Sequence, residues 1–381
     1  MADSRIRPIV MPKWGLSMSA GKVTGWLMKP GARVEVGDGL LDVETEKIAS
    51  VVEAGDAGTL RRIIGEPGTV YPVKALLGIL ADDDVTDAEI DAFVAGYVTP
   101  IAAEEEEAGP QYLFADLPFG KVRFAQRGEG EAAIVLIHGF GGDLDNWLFN
   151  IDALAQQATV YAFDLPGHGQ SSKDITDPTL RGLSQALVAF MDEVGVGTAH
   201  LIGHSLGGAV AMQTAIDAPH RVQSLSLIGS AGLGPEINAG YIEAFITAAA
   251  RRELKSVLEH LFARKELVSR QLVDDVLKYK RLDGVDEALK KLSSALFSGG
   301  RQQAQLGDAL RDANIPILVV WGEDDEIIPA RHATTLVGKA RTHVIGGAGH
   351  MVQMEAANAV NSLLKEHIVA DHSQRAGREQ S

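Results

Sequence analysis

The sequence has no cysteine in 381 residues, so disulfide bonds are excluded and any thiol chemistry must come from a cofactor or a substrate. Long apolar runs are also missing, because no stretch reaches the length of about 18 residues that spans a membrane. The first ten residues, MADSRIRPIV, lack the apolar segment of a secretory signal. We therefore expect a cytoplasmic protein without a membrane span.

Basic residues are in the minority, with 35 Lys and Arg against 51 Asp and Glu and a net charge of −16. Nucleic acids and anionic membranes bind basic surfaces, so neither is expected as the main partner. We assign no metal site. The apolar share of 46% and the charged share of 23% are those of a globular protein, and the length predicts two or three domains.

Residues 1–80 lack helical periodicity and predict a small all-β domain. Short apolar segments alternate with turn signals at 30–31, 37–39, 55–58 and 67–68. Short strands at this spacing are typical of a flattened barrel or sandwich.

Residues 81–111 predict an acidic, flexible linker. The stretch ADDDVTDAEIDAF is compatible with a short helix capped by Thr86 or Asp87, and VTPIAAEEEEAGP after it has little apolar surface to bury. As a random coil, the segment would span roughly 30 Å r.m.s., which would let one domain reach another.

Residues 112–370 alternate between strands and helices and predict an α/β domain. Continuous apolar runs are typical of strands buried on both faces of a largely parallel sheet with helices on both sides. Such runs occupy 132–139, 158–167, 198–205, 222–230, 316–322 and 341–347. Between 236 and 310 helical periodicity replaces them, which predicts a helical cap inserted into the domain. Residues 371–381 form a polar tail.

The pentapeptide Gly203-His204-Ser205-Leu206-Gly207 fits the G-x-S-x-G pattern of a serine nucleophile. A predicted strand precedes it and a predicted helix follows it. The serine would therefore stand on a sharp turn above the sheet, at the positive end of the helix dipole. We predict Ser205 as the nucleophile.

A nucleophilic serine needs a base and a group that orients the base. Asp325 lies in a loop just after an apolar strand, and His350 lies in a glycine-rich loop after the next strand. Ser, Asp, His is the chain order expected for this architecture. Glu323 and Asp324 compete for the role of the acid, but the spacing from Trp321 favours Asp325.

Acyl transfer also needs donors for the oxyanion of the tetrahedral intermediate. The segment HGFGG (138–142) follows the first long apolar strand, where one donor loop is expected. We predict the backbone N–H groups of Phe140 and Leu206 as the donors. His138 is interpreted as a structural brace of this loop, and DLPGHGQSS (164–172) as a structural turn.

Five motifs, HGFGG, DLPGHGQSS, GHSLGG, WGEDDEIIP and GAGHMVQME, occur in this order and resemble the α/β-hydrolase fold superfamily. The resemblance covers residues 112–370. It does not choose a substrate, because the superfamily includes esterases, C–C hydrolases, haloperoxidases, dehalogenases and acyltransferases.

Lys47 lies in the segment DVETEKIAS, which by itself would be read as an exposed hairpin with an ordinary surface lysine. The surrounding stretch, residues 11–70, resembles lipoyl domains over essentially their whole length. In that family the matching lysine carries lipoic acid in amide linkage at a hairpin tip. In the related biotinyl domains the lysine usually lies between two methionines, whereas Glu46 and Ile48 flank it here, which favours lipoic acid.

The combination of a lipoyl-type domain with an α/β-hydrolase domain resembles the dihydrolipoyllysine-residue acetyltransferase components of acetoin-cleaving systems. The usual trimer-forming catalytic domain with its H-x-x-x-D-G motif is not recognisable, and the α/β-hydrolase domain takes its place. The resemblance implies a lipoate ligase or transferase, a thiamine-diphosphate enzyme that cleaves acetoin, and dihydrolipoyl dehydrogenase as partners, with coenzyme A as the acyl acceptor.

The mechanistic hypothesis is transfer of acetyl from the dihydrolipoyl arm to Ser205 and then to coenzyme A, with His350 as base and Asp325 orienting it. Two alternatives stay open. The same triad could act as a hydrolase, namely a thioesterase, an esterase or a C–C hydrolase with an appended carrier domain. The chain could instead be a carrier and scaffold whose second domain only docks partners.

Overall fold

The chain divides into two units, residues 1–110 and 111–381. Within the described residues no helix is both long and apolar enough to cross a membrane. The computed structural model describes residues 5–14, 18–45, 49–100 and 112–379.

The first unit is built from two antiparallel sheets, which confirms the predicted all-β domain. Among the described residues, the sheets have the strand orders β1-β8-β6-β3 and β5-β4-β2-β7. The strands are β1 (Ile6–Val10), β2 (Ala20–Trp26), β3 (Arg33–Val34), β4 (Gly39–Glu44), β5 (Ala49–Glu53), β6 (Gly58–Ile63), β7 (Val70–Pro72) and β8 (Leu76–Ala81).

Alternation of apolar and polar residues along these strands builds one core. On β2, Val23 is buried whereas its neighbours Lys22 and Thr24 are exposed, because successive side chains on a strand point to opposite faces. Val23 packs in a single apolar cluster with Leu41 from β4 and Leu77 from β8.

The hairpin between β4 and β5 is the place of the predicted carrier lysine. Glu44 pairs with Ala49 at the end of the ladder, so residues 45–48 connect the two strands. Lys47 itself lies outside the described residues.

Residues 82–97 differ from the prediction of a flexible linker, because they belong to the first unit and pack against its strands. Helix α1 (Asp87–Gly96) starts with a capping box in which Thr86 and Glu89 exchange hydrogen bonds. Ile90 is fully buried and packs with Phe93 and Tyr97 on the cluster around Ile79. Spacings of three, four and seven residues place these side chains on one face of the helix. Residues 101–111 of the predicted linker lie outside the described residues.

The second unit contains a largely parallel sheet, which confirms the predicted α/β fold. In the described chain, this sheet has eight strands in the order β18-β17-β14-β13-β11-β12-β10-β9, with only β9 and β10 antiparallel to their neighbours. In chain order the strands of the unit are β9 (Leu113–Leu117), β10 (Gly120–Arg127), β11 (Ala133–Ile137), β12 (Thr159–Phe163), β13 (Ala199–His204), β14 (Val222–Ile228), β15 (Phe297–Ser298), β16 (Arg301–Gln302), β17 (Ile317–Gly322) and β18 (Arg341–Ile345).

Helices cover this sheet and supply the cap. The predicted cap between β14 and β17 consists of α5 to α8 and also contains the small hairpin β15–β16. The predicted tail is helical as far as Glu379. The helices are α2 (Ile151–Leu154), α3 (Leu180–Glu193), α4 (Leu206–Asp217), α5 (Ala239–Thr247), α6 (Arg251–Leu258), α7 (Arg270–Lys280), α8 (Val285–Leu296), α9 (Gly307–Arg311), α10 (Val352–Glu355) and α11 (Ala357–Glu379).

The burial of the strands follows their position in the sheet. All residues of the interior strands β13 and β17 are buried. The expectation that residues 341–347 form a strand buried on both faces is wrong, because β18 is the edge strand and none of its residues is buried. His343 on this strand is half-buried. The carboxyl ends of the parallel strands meet at one edge of the sheet, where ligands bind in this class of fold.

Candidate active site

Ser205 stands at a strained turn between β13 and α4. Its φ angle is +52°, in a region that residues with a Cβ rarely occupy. The turn is fixed on both sides, since the Ser205 N–H donates to the Ile228 carbonyl at 2.9 Å and its carbonyl accepts from the Ala231 N–H at 3.0 Å.

The two glycines of the pentapeptide allow this turn. A Cβ on Gly203 would lie 2.3 Å from the Gly207 carbonyl oxygen, and a Cβ on Gly207 would lie 2.0 Å from the Ile137 carbonyl oxygen. The chain therefore passes so close to itself and to the end of β11 that no side chain fits at either position.

Asp325 and His350 form a buried pair beside the serine. His350 Nδ1 lies 2.8 Å from Asp325 Oδ2, and both side chains are almost completely buried. The second oxygen, Asp325 Oδ1, accepts from the N–H groups of Ile327 and Ile328 at 2.8 and 2.9 Å. With Nδ1–H donating to the carboxylate, Nε2 keeps its lone pair, which is the arrangement a general base requires.

The competing acids Glu323 and Asp324 are both exposed. The sequence has three acidic residues in one loop, and of these the structure brings Asp325 within hydrogen-bonding distance of His350. The spacing argument from Trp321 therefore selected the residue that contacts the imidazole.

His204 holds the backbone of His350. Its Nε2–H donates to the His350 carbonyl at 2.9 Å, and the two rings lie 4.7 Å apart. Burial first, and then the neighbouring imidazole of His350, lower the pKa of His204 well below its usual value. The neutral ring of His204 thus adds a contact to His350 without adding a charge.

The loop after β11 is braced by His138. Its Nδ1–H donates to the Gly139 carbonyl at 2.8 Å, and its Nε2 accepts from the Leu165 N–H at 2.9 Å. Burial lowers the pKa of His138 to about 4, so the ring is neutral and both nitrogens are occupied. A proton carrier needs a free nitrogen, and His138 is therefore structural, as the sequence indicated.

A buried ion pair supports the same loop from below. Arg123 Nε donates to Asp164 Oδ2 at 2.6 Å, and Arg123 Nη2 donates to Asp164 Oδ1 at 3.1 Å. Asp164 also accepts from the Leu144 N–H at 2.9 Å and from the Gln170 N–H at 2.7 Å. The turn at 164–172 is thus a structural anchor, in agreement with its interpretation from sequence, whereas the role of Arg123 was missed.

Phe140 and Leu206, the predicted oxyanion donors, lie on the two segments that meet at Ser205. Gly139 packs against the serine, since a Cβ on Gly139 would lie 3.0 Å from the Ser205 Cβ. Leu206 is the first residue of α4, so its N–H has no acceptor within the helix. Phe140 lines the same cavity as Ser205, and its ring packs edge-on against Phe245 and Phe297.

An apolar cavity of about 80 Å³ covers Ser205 and His350. The cap supplies nearly half of its wall, through side chains of α5, α6, α7, β15 and the segments beside them. Among the lining side chains, Asn146 and Tyr241 join His204, Ser205 and His350 as polar groups. The cap side chains in the lining are Ile237, Tyr241, Ile242, Phe245, Leu258, Leu261, Phe262, Leu272, Val276 and Phe297.

Two polar residues of this region were not found from the sequence. Asn146 follows the glycine-rich loop, and Glu355 lies five residues after His350. Asn146 is one polar residue among several in its segment. Glu355 ends the motif GAGHMVQME, but nothing local in the sequence indicates the cap segment that it contacts.

The comparisons with known proteins agree with this architecture. Residues 132–357 match the model of the alpha/beta hydrolase fold family, and residues 7–80 match a family described as "Biotin-requiring enzyme". A solved meta-cleavage product hydrolase from Pseudomonas fluorescens superposes with a TM-score of 0.62 at 23% identity, covering 68% of this chain and 97% of that chain. At this identity the likeness shows the fold alone.

Two curated relatives match nearly the whole chain. Each is named dihydrolipoyllysine-residue acetyltransferase component of acetoin cleaving system. The protein of Cupriavidus necator is 55% identical over 95% of this chain and 97% of its own length. The protein of Pseudomonas putida is 47% identical over 96% of this chain and 100% of its own length. The chain therefore belongs to this family of acyltransferases, which joins a biotin/lipoyl-type domain to an α/β-hydrolase domain.

Proposed function

We propose that the chain transfers an acetyl group from a dihydrolipoyl thioester carried on Lys47 to coenzyme A, through an acyl-serine on Ser205. The observation that supports it most is the 2.8 Å contact between His350 Nδ1 and Asp325 Oδ2 beside the strained serine turn. The choice of acetyl as the acyl group and of dihydrolipoyllysine as its donor rests on the names of the two full-length relatives.

The first half of the proposed reaction acylates the serine. Ser205 Oγ gives its proton to His350 Nε2 and attacks the carbonyl carbon of the thioester, while N–H groups of Phe140 and Leu206 bind the oxyanion. When the carbon–sulfur bond breaks, His350 returns the proton to the leaving thiolate. Asp325 orients the imidazole and stabilises its charged form throughout.

The second half returns the acyl group to sulfur. His350 takes the proton of the coenzyme A thiol, and the thiolate attacks the acyl carbon of the serine ester. The carbon–oxygen bond then breaks, and the proton passes from His350 to Ser205 Oγ. The acyl group stays activated because it moves from thioester to ester to thioester.

The hairpin of β4 and β5 in the first unit is the proposed attachment site of the carried group. The ladder of β4 and β5 ends with the pair Glu44 and Ala49, and Lys47 lies between these two residues in the sequence. Lipoic acid on this lysine would supply, in its reduced dihydrolipoyl form, a thiol that holds the acyl group as a thioester. In the proposed organisation, residues 1–80 carry the arm, a lipoate ligase or transferase attaches it, and part of 81–111 tethers it to the hydrolase domain at 112–370.

The proposed partners follow from the same chemistry. A thiamine-diphosphate enzyme that cleaves acetoin would load the arm, and dihydrolipoyl dehydrogenase would reoxidise the dithiol. Tethering of the arm raises its local concentration to the order of mM, so the hydrolase domain does not need a tight site for the donor.

Hydrolysis is the second candidate function, because the fold occurs in a hydrolase and a triad of serine, histidine and aspartate also catalyses hydrolysis. The cavity favours transfer over hydrolysis. Apart from Tyr241, its side chains on the cap side are apolar, and an apolar wall offers water few hydrogen-bonding partners near the acyl-serine.

Product analysis separates the two functions. S-acetyl-dihydrolipoamide is supplied with and without coenzyme A to the wild-type protein and to Ser205→Ala, and acetyl-coenzyme A and acetate are measured. The proposal expects mostly acetyl-coenzyme A, and neither product above background from the variant. Acetate as the main product at saturating coenzyme A would establish a hydrolase, and a variant with normal transfer would exclude the serine.

A further inference from the structure

The loop that carries His350 is bound directly to the cap. The Met351 N–H donates to the Leu261 carbonyl at 3.0 Å. Gly349 lies so close to the same segment that a Cβ on it would stand 2.7 Å from the Ala263 nitrogen and 2.9 Å from the Phe262 carbonyl carbon. The cap segment 261–264, which connects α6 to the helices that follow, therefore packs backbone to backbone on the catalytic loop.

Glu355 joins these two segments through its carboxylate. Oε2 accepts from the Gly349 N–H at 2.6 Å and from the Ala263 N–H at 3.3 Å, while Oε1 accepts from the Arg264 N–H at 3.1 Å. In return, the Arg264 guanidinium donates to the Glu355 backbone carbonyl at 2.9 Å. One side chain thus binds the residue before His350 and two consecutive residues of the cap.

Burial of the Glu355 carboxylate costs free energy, and its hydrogen bonds define the position of the two segments. Glu355 is 6% exposed, and burying a carboxylate is unfavourable unless hydrogen bonds and a positive charge compensate it. Apolar packing would hold two segments together without that cost. A carboxylate with three aligned N–H donors instead fixes one relative position of the segments.

The joined segments also form part of the cavity wall. Leu261 and Phe262 line it from the cap, and Met351 and Met354 line it from the side of the catalytic loop. A shift of segment 261–264 would separate these side chains and admit water beside Ser205 and His350.

We propose that Glu355 is a positioning residue that holds the cap closed over His350 and so determines whether the acyl-serine is transferred to a thiol or hydrolysed. This inference rests on the proposed function, because it concerns the fate of the acyl-serine. It assigns Glu355 no contact with the reacting atoms.

The variant Glu355→Gln tests the inference with nearly the same volume. An amide offers one acceptor oxygen, and its NH₂ group would face either the Arg264 N–H or the N–H groups of Gly349 and Ala263, donor against donor. A hydrogen bond to a charged group contributes about 1.5 to 3 kcal/mol. We therefore expect the ratio of acetate to acetyl-coenzyme A to rise about tenfold or more.

A general loss of stability does not change the ratio of acetate to acetyl-coenzyme A. Partial unfolding lowers the amount of active protein and reduces both products in proportion. The matched control is Glu366→Gln, which removes an exposed carboxylate that pairs with Arg341 on the surface. It should keep the wild-type ratio.

The wild-type protein and the Glu355→Gln variant test different proposals. The wild-type arm decides the proposed function, since acetate alone from the wild type would overturn that function and this inference with it. A wild type that forms acetyl-coenzyme A and a Glu355→Gln variant with the same product ratio would overturn this inference only. If Glu355→Gln does not fold, Arg264→Met decides, because it removes the bond to the Glu355 carbonyl and should raise the ratio by a smaller factor. An unchanged ratio in that variant would also overturn the inference.

Discussion

At the scale of single residues, the site depends on which atoms keep a lone pair. His350 Nε2 keeps one because Asp325 accepts from Nδ1, and Asp325 is held by the N–H groups of Ile327 and Ile328. His204 and His138 keep neutral rings by burial. The three histidines have the same side chain, and their neighbours alone give them different roles.

Replacement of Asp325 by Asn tests this arrangement. The Asn oxygen can still accept from Ile327 and Ile328, which turns the NH₂ group toward His350 Nδ1. Nδ1 must then accept, so the proton moves to Nε2 and the base is lost. We expect acetyl transfer to fall by about 10⁴-fold, the size of this effect in a serine-protease triad.

The neighbouring variant Asp324→Asn is the matched control, because Asp324 is exposed. Steady-state rates with S-acetyl-dihydrolipoamide and coenzyme A are the measurement. Equal losses in the two variants would show that the loop tolerates no change and that the tautomer is not the cause.

At the scale of elements, the turn at Ser205 depends on the close approach of β11 to α4. In Gly207→Ala the added methyl group would meet the Ile137 carbonyl at 2.0 Å. The turn must move to relieve this clash, and displacement of a nucleophile by about 1 Å costs on the order of 100-fold in rate.

Gly197→Ala is the control for this prediction, because a Cβ at Gly197 meets nothing within 4 Å. Transfer rates and labelling of Ser205 by a fluorophosphonate are compared between the two variants. If Gly207→Ala labels and turns over like Gly197→Ala, the close approach does not determine the geometry of the nucleophile.

Helix α1 supports a second prediction at this scale. Ile90 is fully buried on the first unit, and truncation of a buried Ile costs about 2 to 5 kcal/mol. Ile90→Ala should therefore lower the free energy of unfolding of the first unit, measured by urea titration. Val98→Ala, at a position 79% exposed, should not. A linker helix without packing would give equal values for both variants.

The elements show what the sequence could and could not predict. Ser205, its strand and its helix were predictable because the turn is encoded by adjacent residues. The packing of α1 was missed since its acidic residues suggested a solvated segment, although Ile90, Phe93 and Tyr97 have helical spacing. The exposure of β18 was missed because residue types do not reveal which strand lies at the edge of a sheet. The link from Glu355 to the cap joins residues about 90 positions apart in the chain, and such pairs leave no local pattern.

At the scale of the whole molecule, buried neutral histidines link stability to pH. Burial lowers the pKa of His138 to about 4 and that of His168 to about 3, and it also lowers the pKa of His204. In the unfolded chain each would titrate near pH 6.5. Below that pH the native state therefore binds fewer protons than the unfolded chain. The contribution of these histidines to stability is complete above about pH 6.5 and is lost as the pH falls toward 4.

Asp143 opposes part of this effect, since burial and the nearby carboxylates of Asp145 and Asp164 raise its pKa. Burial also raises the pKa of Glu355, which acts in the same direction, but the three histidines outnumber these two carboxyl groups. We expect the urea midpoint of the second unit, followed by tryptophan fluorescence, to be lower at about pH 5.8 than at about pH 7.5. A midpoint that stays constant or rises on acidification would show that the imidazoles are protonated in the native state.

In the proposed reaction the acyl group passes through Ser205 on its way between two sulfur atoms. The direct measurement mixes wild-type protein with S-acetyl-dihydrolipoamide in the absence of coenzyme A, quenches it with acid, and examines the peptide that contains Ser205 by mass spectrometry. We predict one acetyl group on Ser205, which disappears when coenzyme A is added before the quench and forms acetyl-coenzyme A at the same rate. An unmodified Ser205 peptide at all times, in protein that still produces acetyl-coenzyme A, would contradict the acyl-serine route.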